Sequence, residues 1–156
     1  MKRFRLTALA LFLLPLIATA ACSAGGGVES SNAAGAADLT VTVKDVRNST
    51  GTVYLVVYDE AGFGKPELGK AKQKANAAKG DMTFVIHNLP AGKYAASSYH
   101  DENNNGKLDR NSLGVPTEGY GFSNDAQGNG GPPKFAQAAF DFDGKTNKQI
   151  AFSLNY

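Results

Sequence analysis

The sequence predicts an all-β domain, a Greek-key β-sandwich of about seven strands. Three observations predict it. Leu39, Val41 and Val43 alternate with Thr40, Thr42 and Lys44, the period of two that a half-buried strand requires. Val53 to Tyr58 reads Val-Tyr-Leu-Val-Val-Tyr, β-branched and aromatic with no polar break, as a central strand does. Turn signals recur at short intervals, in Asn48-Ser49-Thr50-Gly51, Ala61 to Pro66, and Asn88-Leu89-Pro90-Ala91-Gly92.

The remaining elements follow in order. Residues 68–79 read as an edge strand, because Lys70, Lys72 and Lys74 alternate with Ala71, Gln73 and Ala75, and lysines on an edge oppose edge-to-edge pairing. Met82 to His87 is the next strand, and Lys93 to His100 another. The Asn-, Gly- and Pro-rich stretch 101–133 is long for a connection, and such segments serve function or hold an ion. Phe135 to Phe142 and Gln149 to Asn155 close the chain as strands, the latter with Ile150, Phe152 and Leu154 on one face. The sequence shows no internal repeat and no helix of useful length.

The N-terminus reads as an export signal over residues 1–21. Lys2, Arg3 and Arg5 form a basic region, Leu6 to Ile17 an apolar one, and Ala18-Thr19-Ala20-Ala21 a small-residue run. The apolar run is short for a membrane span. Cys22 is the single cysteine, so no intramolecular disulfide forms. Its place after the small residues resembles a bacterial lipobox, which implies an acylated Cys22 and an outer-membrane lipoprotein. Thr19 stands where that pattern usually has Leu, and Ala18-Thr19-Ala20 also suits ordinary cleavage to a soluble periplasmic protein. Residues 22–37 have a linker composition, leaving 38–156 as one domain. The whole chain carries a formal charge of +2, but three of its 16 basic residues lie in the signal. Without them 13 basic residues face 14 acidic ones, which leaves no electrostatic footprint for nucleic acid.

Residues 101–112, Asp-Glu-Asn-Asn-Asn-Gly-Lys-Leu-Asp-Arg-Asn-Ser, follow the register of an EF-hand-type calcium loop. Asp101, Asn103, Asn105 and Asp109 fill slots 1, 3, 5 and 9, Lys107 offers its carbonyl at slot 7, and Gly106 makes the turn at slot 6. A hard cation needs several oxygens at once, and a chain wrapped around it supplies them. Slot 12 holds Ser112 rather than Glu, and Glu118, farther on, is the candidate to replace it. So few carboxylates imply weak calcium binding, about 10⁻⁴–10⁻³ M, and magnesium suits the loop less because it needs a tighter octahedron. An Asn/Gly-rich turn without metal is the competing reading.

Two segments carry resemblances. Phe84 to Tyr94, containing Leu89-Pro90-Ala91-Gly92-Lys93-Tyr94, resembles the strand-turn-strand of prealbumin-like and carboxypeptidase-regulatory-like sandwiches. Tyr99 to Asn103, Asn105 to Asp109 and Leu113 to Asn124 together are similar to a family of exported bacterial proteins catalogued as a domain of unknown function. That resemblance spans about residues 39–155 and implies a sandwich and an exported location. It supplies no catalytic residue, and a fold alone does not confer an activity.

The other candidates are His100, Tyr120 and Phe122. His100 with Asp101, Asp109 and Glu118 could form a hydrolytic metal site, although one histidine with carboxylates is an unusual zinc set. Its alternative is a sheet histidine bonded to loop carbonyls. Tyr120 and Phe122, interleaved with Gly119 and Gly121, could contact a sugar or peptide, or could pin the long loop to the sandwich. Ser112 and Ser123 have no nucleophile context, and phosphate-loop and dinucleotide fingerprints are missing. The leading expectation is a non-enzymatic cell-envelope module, stabilised by calcium and anchored to the membrane by lipid. It would present its long loop to an envelope protein or glycan. A metal-dependent hydrolase centred on 100–122 and a glycan-binding module using Tyr120 and Phe122 are the alternatives.

Overall fold

The computed structural model describes residues 37–156. Residues 1–21, expected as an export signal, Cys22 and residues 23–36 of the expected linker lie outside the described residues. Among those described, no helix is long and apolar enough to cross a membrane.

The domain is an all-β sandwich of eight strands in two sheets. The smaller sheet has the order β4-β1-β8, with β1 at Leu39–Val46, β4 at Gly80–Ile86 and β8 at Lys148–Ser153. The larger has the order β3-β2-β5-β6, with β2 at Thr52–Tyr58, β3 at Ala71–Asn76, β5 at Gly92–Asp101 and β6 at Gly119–Phe122. A short strand β7, Phe140–Phe142, pairs with the start of β5.

The core follows from the alternation. Val41 and Val43 of β1, Leu55 and Val57 of β2, Phe84 of β4 and Phe152 of β8 turn inward and are buried. Apolar area removed from water here is the main force holding the sheets together. The seam between β3 and β4 is bridged by a side chain, Gln73 Nε2 donating to the Val85 carbonyl at 2.6 Å. On the opposite seam, Tyr120 of β6 exchanges two backbone bonds with Asn155, at 2.9 and 2.8 Å.

A second apolar cluster lies on the outer face of the larger sheet. Ala95 pairs with Tyr58, whose side chain points away from the core strands' inward set. Over Ala95 pack Ala126 and Ala138, with Phe63, Phe122 and Phe135 around them. This cluster explains a departure from the sequence reading. Phe135 to Phe142, expected as one strand, divides into a helical turn α1, Phe135–Ala138, and then β7. The Ala-rich first half lacks β-branched residues. Its turn is closed by Gln137 Oε1 accepting the Lys134 N–H at 2.7 Å, and it delivers the Phe135 ring to within 5.6 Å of Phe63.

The stretch 101–133, expected as connection throughout, contains β6. Gly119 and Gly121 hide that strand, since glycine ordinarily weakens strands. Here their bare face admits the chain's C-terminal segment. A Cβ on Gly119 would meet the Tyr156 ring at 2.4 Å, and one on Gly121 the Ser153 carbonyl at 2.3 Å.

Candidate functional site

The loop between β5 and β6 is built around Asp101, the last residue of β5. Its side chain is fully buried and caps the turn it begins. Oδ1 accepts the Asn105 N–H at 3.1 Å and Oδ2 the Gly106 N–H at 2.7 Å. Asn103 and Asn105 repeat the move on a smaller scale. Asn103 Oδ1 accepts the Asn105 N–H and Asn105 Oδ1 the Lys107 N–H, both at 3.0 Å. These are the side-chain-to-backbone turns that Asn and Asp favour. Gly106 sits at φ +82°, where a side chain is strained, and Asn104 at +58°.

The same residues converge at their other ends. Asn103 Nδ2 and Asn105 Nδ2 donate to Asp109 Oδ2 at 2.7 and 2.8 Å. The two amides, Asn105 foremost, hold the Asp109 carboxyl below the usual carboxylate range. Tyr99 Oη donates to the Gly106 carbonyl at 3.1 Å and fixes the outer turn. Burial, helped by Tyr54 and the nearby Asp101 and Glu118 charges, pushes the Tyr99 hydroxyl to about 12, so it remains a donor.

Glu118 reaches this loop from the residue before β6 and is nearly buried. Oε1 accepts the Glu102 N–H at 2.9 Å and Oε2 the Asp109 N–H at 3.0 Å. The carboxylate thus clasps the two sides of the loop at its neck. Glu102 itself turns outward to Arg47, with bonds of 2.6 and 2.5 Å to Nε and Nη2, and accepts from Asn48 Nδ2 at 2.7 Å. The Arg47 bonds, with Asn48, hold Glu102 below the usual range.

His100 lies beneath the loop and is fully buried. Nε2 lies 2.7 Å from the Thr50 carbonyl, to which it can only donate, and Nδ1 lies 2.8 Å from Tyr156 Oη. Tyr156 Oη also accepts the Arg47 N–H at 3.0 Å, and the Arg47 guanidinium lies 4.4 Å from the Tyr156 ring centre. Both nitrogens of His100 are therefore engaged, one with a loop carbonyl and one with the last residue of the chain. Arg47, Thr50, Glu102 and Tyr156 were not expected as site residues. Positions 47 and 156 meet only through the parallel pairing of β1 with β8, which no local pattern announces.

Tyr120 and Phe122 share one face of β6, with ring centres 6.3 Å apart and edge to face. Phe122 belongs to the outer apolar cluster, 6.0 Å from Phe63. Tyr120 continues a row across the sheet, Lys74, Tyr54, Tyr99, Tyr120, set by the register of β3, β2, β5 and β6. The Tyr54 and Tyr99 rings stack 4.8 Å apart at 3°, and Lys74 Nζ lies 5.7 Å from the Tyr54 ring centre. Tyr54 thus has a neighbour over each face of its ring.

Among the described residues, no three His, Cys, Asp or Glu side chains form a cluster suited to a metal ion. The oxygens that could serve one are of another kind: two carboxylates, Asp101 and Asp109, and two amides, Asn103 and Asn105. Each amide oxygen accepts one loop N–H and keeps a second lone pair. That all-oxygen set, two carboxylates and two neutral amides, is of the kind calcium takes, and it lacks the His nitrogen and Cys sulfur that dominate zinc sites.

A family described as an uncharacterized protein conserved in bacteria (DUF2141) matches residues 41–151. The chain belongs to this family. The match runs from β1 into β8 and takes in the whole of the 101–118 loop. No curated protein and no solved structure matches the chain.

Proposed function

We propose that this chain is an exported, lipid-anchored module of the bacterial cell envelope, non-enzymatic, whose 101–109 loop takes up calcium as a structural ion. The supporting observation is the convergence of the Asn103 and Asn105 amides on Asp109, at 2.7 and 2.8 Å, above the turn that Asp101 caps. A cation there would displace the two amide nitrogens from Asp109, and the Asn103 and Asn105 oxygens would have to reach it through their second lone pairs while still accepting the Asn105 and Lys107 N–H groups. Asp101 and Asp109 bring the charges, Asn103 and Asn105 neutral oxygens, and Lys107 its carbonyl. Glu118 acts chiefly as the clasp on Glu102 and Asp109.

Two features favour a structural over a hydrolytic role. The one histidine at the loop, His100, has both ring nitrogens engaged. The Glu118 carboxylate, the clasp of the loop, is turned to backbone N–H groups rather than to an open cleft. A ligand bound only by the folded state stabilises it by RT ln(1 + [L]/Kd), so millimolar calcium on a weak site yields about 1 kcal/mol, or a few degrees in Tm. Melting curves in calcium, magnesium and chelator test this. We expect the highest midpoint in calcium, and equal midpoints in calcium and chelator would refute the metal.

A further inference from the structure

The second half of the same loop carries a different feature. Residues 110–116 form a tight hairpin, closed by the Arg110–Pro116 bridge. Asn111 organises it. Its N–H donates to the Val115 carbonyl at 2.9 Å, its carbonyl accepts the Gly114 N–H at 2.9 Å, and its Oδ1 accepts the Leu113 and Val115 N–H groups at 2.9 and 3.0 Å. Arg110 Nη1 adds a bond to the Gly114 carbonyl at 2.9 Å. This framework displays Leu113 at 85% exposure and Val115 at 54%. A side chain that wet is ordinary on a loose loop. Here a network of hydrogen bonds holds it outward.

We propose that Leu113 and Val115 are a membrane-inserting tip, seated in the interface of a bilayer with anionic headgroups. Area decides between a bilayer and a protein partner. Two such side chains offer on the order of 200 Å² of apolar surface. A stable protein interface of about 800 Å² per partner is somewhat over half apolar, so it needs roughly 450 Å² of apolar surface. A bilayer has no such threshold, because a small apolar insertion adds to any other anchor. Arg110, exposed at the base of the hairpin, suits headgroup phosphates.

Chain length permits the contact. The tip lies at the end of the domain where β1 finishes, since Glu102 of the same loop binds Arg47, the residue after β1. The chain enters at the other end, before Leu39. Strand β1, with 8 residues, is about 26 Å long. Residues 22–36 fully extended reach at most about 50 Å. An anchor at Cys22 therefore leaves enough chain for the tip to touch the same bilayer. In this the inference rests on the anchored-envelope reading, and its test is kept separate from that reading.

The chain contains no tryptophan, so Leu113→Trp places a single indole, excited selectively over the six tyrosines, at the tip. The protein is the chain from residue 22 with Cys22→Ser, which removes acylation from the question. It is mixed with vesicles of phosphatidylethanolamine and phosphatidylglycerol. We expect the indole emission of the Leu113→Trp variant to shift to the blue and to be quenched by brominated acyl chains. We also expect Leu113→Ser with Val115→Ser to lower vesicle partitioning about tenfold or more without moving the melting midpoint. Emission of a water-exposed indole at saturating vesicles would overturn the proposal and leave the tip to a protein pocket. Unchanged partitioning of the double-serine variant would overturn it equally. Failure of the anchor reading would show instead as a wild-type Cys22 that takes up no palmitate label.

Discussion

Two long segments leave the larger sheet, and they are held by opposite means. Residues 101–118 fold on themselves. Asp101, Asn103, Asn105, Asp109 and Glu118 satisfy the loop's own N–H groups, and no large apolar side chain of that loop is buried. Residues 123–139 fold onto the sheet, where Ala126, Ala138 and Phe135 pack around Ala95, Phe63 and Phe122. Ser123 Oγ adds a bond from the Ala96 N–H at 2.9 Å. The difference teaches where each segment is vulnerable. A segment held by charge and hydrogen bonds responds to cations and pH. A segment held mainly by apolar area responds most to truncation of its rings, even though Asp125 Oδ1 here also accepts the Ser153 N–H at 2.7 Å.

The largest expected effect separates the two directly. Asp101→Ala strands the Asn105 and Gly106 N–H groups beside a lost buried carboxylate, which should cost about 3 kcal/mol. It should also abolish any calcium-dependent shift in Tm. Phe135→Ala removes a half-buried ring from the outer cluster and should cost about 2 kcal/mol, below the range for fully buried Phe. Its calcium response should match the wild type. Urea denaturation of both variants, in calcium and in chelator, measures the four values. A calcium response lost equally in both would mean the segments are not independent.

A smaller effect sharpens the role of Glu118. Glu118→Gln keeps one acceptor oxygen and turns an amide nitrogen toward the other N–H, so it should cost about 1–2 kcal/mol. As a clasp, it should lower stability in chelator while most of the calcium shift persists. A shift that vanishes with chelated stability intact would make Glu118 a ligand instead.

The smallest effect is on pH. Arg47 and Asn48 depress the Glu102 carboxyl in the folded protein. The stability this supplies is present above the ordinary carboxylate value, about 4.3, and is lost as pH falls through the lower folded value. Asp109, depressed by Asn105 and Asn103, has the same sign. Because Arg47 is half exposed, the Glu102 contribution should stay under about 1 kcal/mol. The gap in Tm between wild type and Glu102→Gln should close between about pH 5 and pH 3. A gap that widens on acidification would reverse the assignment.

The same contrast explains what the sequence made legible. Strands β1, β4 and β8 were readable because a period of two survives along them, β2 because its unbroken β-branched and aromatic run suits a central strand, and β5 because a turn signal, Asn88 to Gly92, precedes it. The edge strand β3 was readable for another reason, its lysines alternating with Ala71, Gln73 and Ala75 along a largely exposed edge, where Lys72 and Lys74 pair with Val56 and Tyr54 of β2. Strand β6 was not, because its glycines meet Tyr156 and Ser153, contacts invisible without the C-terminal segment in place. Helical turn α1 was not, because its Phe-Ala pattern serves a cluster outside the core. Within the candidate site, the five polar positions 101, 103, 105, 109 and 118 were legible as residues that act together. Their division of labour was not. Spacing places Asp101 and Glu118 in one loop, but only the fold shows both turned to backbone N–H groups, with His100 closed off by Thr50 and Tyr156.

The central claim is that the 101–109 loop is an ion-holding structural element. The most direct measurement is a crystal structure of the protein grown in millimolar calcium, with the ion identified by its anomalous signal. We expect one calcium among Asp101, Asn103, Asn105, Lys107 and Asp109, with six or seven oxygens at about 2.3–2.6 Å and no open position. A loop unchanged and without an ion at that concentration would contradict it, as would a metal with an open position beside a freed His100.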